Sequence, residues 1–308
     1  MNDFLQRYLH GQQYEVWADL LALGQDVHRE PLFTEAMAVA RETMFRVRYN
    51  ICLLVSRLNA IGYHFGYQWA QSIVQNEEIQ IMHMKSPGAL AENLRTTEGL
   101  LRRKQLTEDD IQRRLITAKE AILHVESSTR RLLANFPPLA LNLPSTHIHN
   151  LLKELEDDIG TIPLSLYAWY EMVGSVNFIG DIPESWLKYL QGNQPQITKQ
   201  SIWKLDPLFV DSFENIIAEI RNIRPSKAIA IRIAPDKFTK NASSGGSDYA
   251  VAIPDGHADA LLLGEEHHTT FVNYLRICFQ WGGFPGWEQC SQRPEEDLAF
   301  LTDGLLPI

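Results

Sequence analysis

Between Pro31 and Gly62 the apolar residues Met37, Ala40, Met44, Val47, Ile51, Leu54 and Leu58 recur at alternating spacings of three and four. That is the period of an amphipathic helix with one continuous apolar seam. Pro31 suits the first turn, where its missing N–H costs nothing, and Gly62 suits the stop. The spacing therefore predicts one helix over 31–60, with a face that something else in the fold has to cover.

Further helices are expected around it. Tyr14, Trp17, Leu20 and Leu21 mark a shorter amphipathic helix ending at Gly24. Residues 64–84 and 88–104 read as two more, divided by the turn Ser86-Pro87-Gly88. Another long helix starts at Thr107. Asp110 lies three residues on, as in a capping box, and Glu108 and Asp109 add negative charge where the helix dipole favours it. Its seam runs Ile111, Leu115, Ala118, Ile122, Val125, Thr129 and Leu132. No fixed repeat is visible. Residues 1–136 are thus expected to form an all-helical bundle domain, whose seams meet each other or another chain.

Asn135-Phe136-Pro137-Pro138 and Leu143-Pro144 interrupt the helical pattern. After them a helix over His147–Ile159 is expected to end at Gly160. Ile202–Val210, Ala228–Ile233, Tyr249–Ile253 and Ala260–Leu263 are short β-branched or apolar runs bounded by turn residues. Asn241–Ser247 is a Ser/Gly-rich loop. A last helix over Thr270–Trp281 turns Phe271, Tyr274, Leu275, Cys278 and Phe279 inward. Residues 145–308 read as a second domain, mixed α/β with a mainly antiparallel sheet, and the whole chain as α+β.

The chain carries a net charge of −10, all of it in the second half. Residues 1–150 hold 16 Lys+Arg and 16 Asp+Glu, whereas 151–308 hold 12 and 22. An acidic surface is repelled by phosphates, so nucleic acid is not the expected partner, and basic proteins are. No apolar run approaches the roughly 18 residues that span a bilayer. The N-terminal sequence lacks a basic start followed by an apolar stretch, so no secretory signal is expected. Cys52, Cys278 and Cys290 form no CxxC pair. Cys52 and Cys278 lie within apolar helical patterns and are expected to pack. These features together place the chain in the cytoplasm.

Chemistry-bearing strings are few. Asp255-Gly-His257-Ala-Asp259 could present three ligands along one strand, which would make the chain a metal-dependent hydrolase, or it could be a polar turn with Gly256 at the bend. The turn is the simpler reading, because no second cluster completes a ligand shell. Glu265-Glu266-His267-His268 reads as the lead-in to a helix, with its acids at the positive end of the dipole. His147 and His149 fall in a helix, where i and i+2 point apart. Gly245-Gly246 lacks a phosphate-cradling lysine. Nucleophile-elbow, P-loop, dinucleotide and HExxH motifs are absent, so no cofactor or resident metal is expected.

The stretch Ile162-Pro163-Leu-Ser-Leu-Tyr-Ala-Trp169-Tyr170-Glu-Met-Val-Gly174 resembles the opening of a SUKH-superfamily domain. Asp206-Pro207-Leu208, the Tyr249–Pro254 strand and the Phe271–Trp281 helix are the counterparts of its later elements. The resemblance spans roughly 150–286. It implies a non-catalytic protein-binding fold, since many SUKH domains are similar to bacterial immunity proteins that neutralise toxins. On this reading Asp255, Asp259, Glu265, Glu266 and Trp203 are the expected contacts with a basic protein partner. The helical half would serve dimerisation or a second contact; alternatively the chain is a helical scaffold or regulator, with the second half an accessory.

Overall fold

The computed structural model describes residues 3–66, 68–104, 106–125, 140–190, 204–222, 229–241 and 246–308; of 68–76, 219, 221–222 and 241 it describes the backbone alone. The fold is α+β: helices predominate, and every named strand pair is antiparallel. Two compact units divide it, one made of Met1–Gly66 with Pro138–Ile308, the other of Tyr67–Pro137.

The long helix forms as its seam dictates. Helix α1 (Phe4–Leu9) and α2 (Gln13–Ala22) lead into α3 (Leu32–Ala60). All seven seam residues of α3 are buried. The expected division into 1–136 and 145–308 is not the one observed. The seam of α3 meets Leu164–Met172, from far along the chain, so the first sixty-six residues belong with the second half. A heptad-like spacing says that a face is covered, not by what. At the edge of this contact Arg41 grips Glu171 with two charge-assisted bonds, Nε to Oε2 at 2.7 Å and Nη2 to Oε1 at 2.8 Å.

The other flank of α3 holds the end of the chain. Asn50 is fully buried and exchanges two bonds with Leu306, Nδ2 to the carbonyl at 2.9 Å and the Leu306 N–H to Oδ1 at 2.7 Å. Arg46 donates to the Pro307 carbonyl and Arg57 to that of Leu301, each at 3.0 Å. This flank was not expected from sequence, nor was the helix Glu295–Thr302 that leads into it.

After α3, β1 (His64–Phe65) pairs with Gly180–Asp181. The Tyr67–Pro137 unit contains α4 (Gln68–Lys85), α5 (Pro87–Arg103) and α6 (Glu108–Leu123). Pro87 opens α5, and Thr107 caps α6 by accepting from the Asp110 N–H at 3.3 Å. Seam burial is weak here: of Ile111, Leu115, Ala118, Ile122 and Val125, only Ile111 is buried. Thr129 and Leu132 lie outside the described residues, as does Asn135-Phe136-Pro137-Pro138.

In the larger unit β2 (Leu141–Asn142) precedes α7 (Ile148–Ile159) and α8 (Leu164–Met172). Then come β3 (Ser175–Asn177), β4 (Gly180–Asp181) and α9 (Glu184–Leu190). Gly174 turns α8 into β3 at φ +92°, and a Cβ there would lie 2.2 Å from the Asn142 carbonyl oxygen. Only glycine permits that approach. Strand β3 is the centre of a three-stranded sheet with β2 and β5 (Phe209–Val210). Helix α10 (Phe213–Asn222) leads to β6 (Ile229–Ala234), which pairs with β7 (Tyr249–Ile253). Of the expected strand Ile202–Val210, the described part begins as a 3-10 turn at Lys204–Leu205 and is strand only at Phe209–Val210, and Ala260–Leu263 contributes isolated bridges. Helices α11 (Phe271–Gln280) and α12 (Glu295–Thr302) finish the unit. The five residues expected to face inward on α11 are all buried. Trp186, Phe284 and Trp287 pack edge-to-face, with centroids 5.5 and 5.4 Å apart, and seat the segment after α11 on α9.

Candidate functional site

That segment, the 3-10 turn Pro285–Gln289, forms one wall of a polar cleft. Gly286 lets it close in: a Cβ at this position would fall 2.0 Å from the Lys204 carbonyl oxygen. The opposite wall is the turn Gly264–His268, which the chain makes between β7 and α11. Lys204, Asp206 and Lys237 complete the lining.

Beneath the cleft lies a charged group that is wholly out of solvent. Lys240 is 0% exposed, and its ammonium is paired with Asp206 Oδ1. The Tyr249 hydroxyl donates to Asp206 Oδ2 at 2.8 Å. The lysine nitrogen also stands 4.7 Å from the Tyr249 ring centroid, within cation–π range. Burial, with the Asp206 carboxylate beside it, pushes the Tyr249 phenol up, so it stays a donor. Asp206 holds φ at +46°, a left-handed conformation that costs energy outside glycine and that Asp and Asn tolerate best.

Above this pair, Glu265 is 2% exposed. Its Oε2 accepts from the His267 N–H at 2.8 Å, and its Oε1 contacts the His267 ring at Nδ1. The other ring nitrogen, Nε2, lies 2.6 Å from Glu288 Oε2. Burial opposes charge on His267, but the two carboxylates outweigh it and raise its pKa. Glu266 pairs with Lys237 and accepts from Gln289 Nε2 at 2.6 Å. Burial would raise its carboxyl, yet these two bonds hold it below the usual range.

The expected partner contacts separate on this map. Glu266 is exposed on the rim. Glu265 is not: its side chain is turned inward and occupied by His267. The string 265–268 is therefore a clasp and not a helix lead-in. Asp255 is half-buried and bonded to His257. Asp259 is 4% exposed and accepts from the N–H groups of Ala260 and Val272, at 3.0 and 3.1 Å. It ties the start of α11 and cannot touch a partner. Burial raises its carboxyl above the usual range. The i, i+2, i+4 string thus turns its acids to different jobs. Among the described residues no three His, Cys, Asp or Glu side chains converge in a way that could hold a metal ion. Trp203 lies outside the described residues. Cys278 is buried, as its position in the α11 pattern implies, but Cys52 is exposed, on the outward stripe of α3. Sequence reasoning missed Lys240, Asp206 and Glu288. The one usable signal was Asp206-Pro207, where a turn residue precedes a strand.

The cleft holds about 10 Å³ of free volume, room for a single water. A broader concavity of about 420 Å³ adjoins α9, lined by Lys188, Tyr189, Arg293, Glu295, Glu296 and Asp297 among others. Both flank the same stretch of chain. Glu266 is bonded to Gln289, Glu288 is next to it, and the exposed Glu295 and Glu296 follow in the first turn of α12. Among the described residues, no helix is long and apolar enough to cross a membrane.

Fold and site together define a helix-rich α+β protein with a charged, occluded cleft beside an acidic edge. No protein family, curated protein or solved structure matches the chain.

Proposed function

We propose that the chain is a non-catalytic, cytoplasmic protein-binding module of SUKH type, similar in role to an immunity or antitoxin protein, and that its acidic unit docks a basic protein. The observation that carries this is where the charge sits. The unit of Met1–Gly66 with Pro138–Ile308 has 18 Lys+Arg against 29 Asp+Glu, a net of −11, while Tyr67–Pro137 has 10 against 9. Exposed acids gather along Glu266, Glu288, Glu295 and Glu296, and again on α7 at Glu154, Asp157 and Asp158. Such a surface attracts cationic partners and repels nucleic acid.

Affinity capture on the full chain, followed by a salt titration, tests this. The expected result is one stoichiometric basic protein whose binding weakens as salt rises. Recovery of a neutral partner with salt-insensitive binding contradicts it.

A second reading concerns the Tyr67–Pro137 unit. Helix α5 buries none of its residues, and Ile79, Met82, Leu100, Ile116 and Leu123 remain exposed. With its charges balanced, this unit suits self-association. Light scattering on the full chain should then report a dimer, and a strict monomer at high concentration removes this reading.

A further inference from the structure

The geometry at His267 sets its protonation state. Both ring nitrogens face carboxylate oxygens, Nδ1 toward Glu265 and Nε2 toward Glu288 at 2.6 Å. An ionised carboxylate only accepts, so each nitrogen has to donate, and a neutral imidazole carries only one N–H. The shared proton belongs on the ring, because imidazole is the stronger base by about two units. The surroundings agree. Four carboxylates (Asp206, Glu265, Glu266 and Glu288) meet around the cleft, against Lys204, Lys237 and Lys240. Arg293 donates to the Glu288 carbonyl at 2.9 Å, but its guanidinium stacks on Trp281. An imidazolium at 267 supplies the missing cation between the two carboxylates it touches.

We propose that His267 is a proton-operated latch. Charged, it fastens the Gly264–His268 turn to the Pro285–Gln289 turn and keeps the cleft shut. Neutral, it can donate to only one carboxylate, and Gln289 with Glu266 is left to join the two walls. Release also removes one positive charge from the edge that carries Glu266, Glu288, Glu295 and Glu296. The latch does not depend on the identity of any partner.

The sign follows from the raised pKa. Closure is complete below the ordinary histidine value of about 6.5 and is lost as pH rises through the higher folded value. This places the switch above the pH at which a free histidine titrates.

The test is long-range proton–nitrogen NMR of the imidazoles in the ¹⁵N-labelled full chain across this range, with His267→Gln identifying the resonance. The expected result is a ring still protonated on both nitrogens where free histidine is half-titrated, with a midpoint above that of free histidine. Glu288→Gln, at an exposed position, should lower the midpoint by about one unit, and identifies the resonance even if the His267 variant does not fold. Amide-exchange protection at 264–268 and 285–289, corrected for intrinsic rates, should fall with the same midpoint. A midpoint at or below that of free histidine, a midpoint unmoved by Glu288→Gln, or protection that stays flat while the ring titrates overturns the latch.

Discussion

Lys240→Met isolates the energetics beneath the cleft. The substitution keeps most of the side chain's volume and removes its charge. The Asp206 carboxylate is then left inside with the Tyr249 hydroxyl and without its cation. Breaking a buried pair by removing one partner costs about 3–5 kcal/mol, because the surviving charge is uncompensated. A typical domain has only about 5–15 kcal/mol in total, so this should show as a large fall in the urea midpoint. Asp206→Asn is the matching change, since asparagine tolerates the left-handed backbone at φ +46°. The double variant should be more stable than the sum of the singles predicts, with a coupling of about 2 kcal/mol. The assay is equilibrium urea denaturation of the four proteins, followed by circular dichroism. A loss under about 1 kcal/mol for Lys240→Met, or a coupling near zero, would show that the pair is not sealed from water as described.

Leu54→Ala, at a fully buried position of the α3 seam, should cost about 2–5 kcal/mol by the same denaturation assay. A loss within about 0.5 kcal/mol would mean that the seam is not packed as described. Of the three thiols, the exposed Cys52 should react at once with a disulfide reagent. Cys278, whose thiol burial pushes well up, should react only after unfolding, and half-buried Cys290 slowly. Asp259→Asn should flatten part of the stability-versus-pH curve. The raised carboxyl contributes stability that is full below its unfolded value of about 4 and is lost as pH rises through the folded value. A variant curve parallel to the parent's contradicts this.

Periodicity was the legible part of the fold. The α3 seam, the Thr107 cap, the Gly160 stop of α7 and the inward face of α11 all follow from spacing and end signals, and the structure has them. Pairing was not legible. Nothing local to Met37–Leu58 says that its cover comes from Leu164–Met172, more than a hundred residues on, so the domain division went astray. The two-residue strands are too short to carry an alternation. Of the site, the acids at 255, 259, 265 and 266 were visible as residue types, but burial decides their roles. Asp259 and Glu265 are consumed internally, whereas Glu266 reaches the rim. Lys240 looks in sequence like one more surface lysine, and its burial depends on Asp206 arriving from thirty-four residues earlier.

The central claim is that the acidic unit docks a basic protein through its charge, and the salt dependence of that complex tests it most directly. With the captured partner in hand, affinity should fall at least about tenfold between low and physiological salt, mostly through the association rate. Charge reversal at Glu295 and Glu296 should flatten that dependence. A complex whose affinity is indifferent to both salt and these reversals would contradict the account.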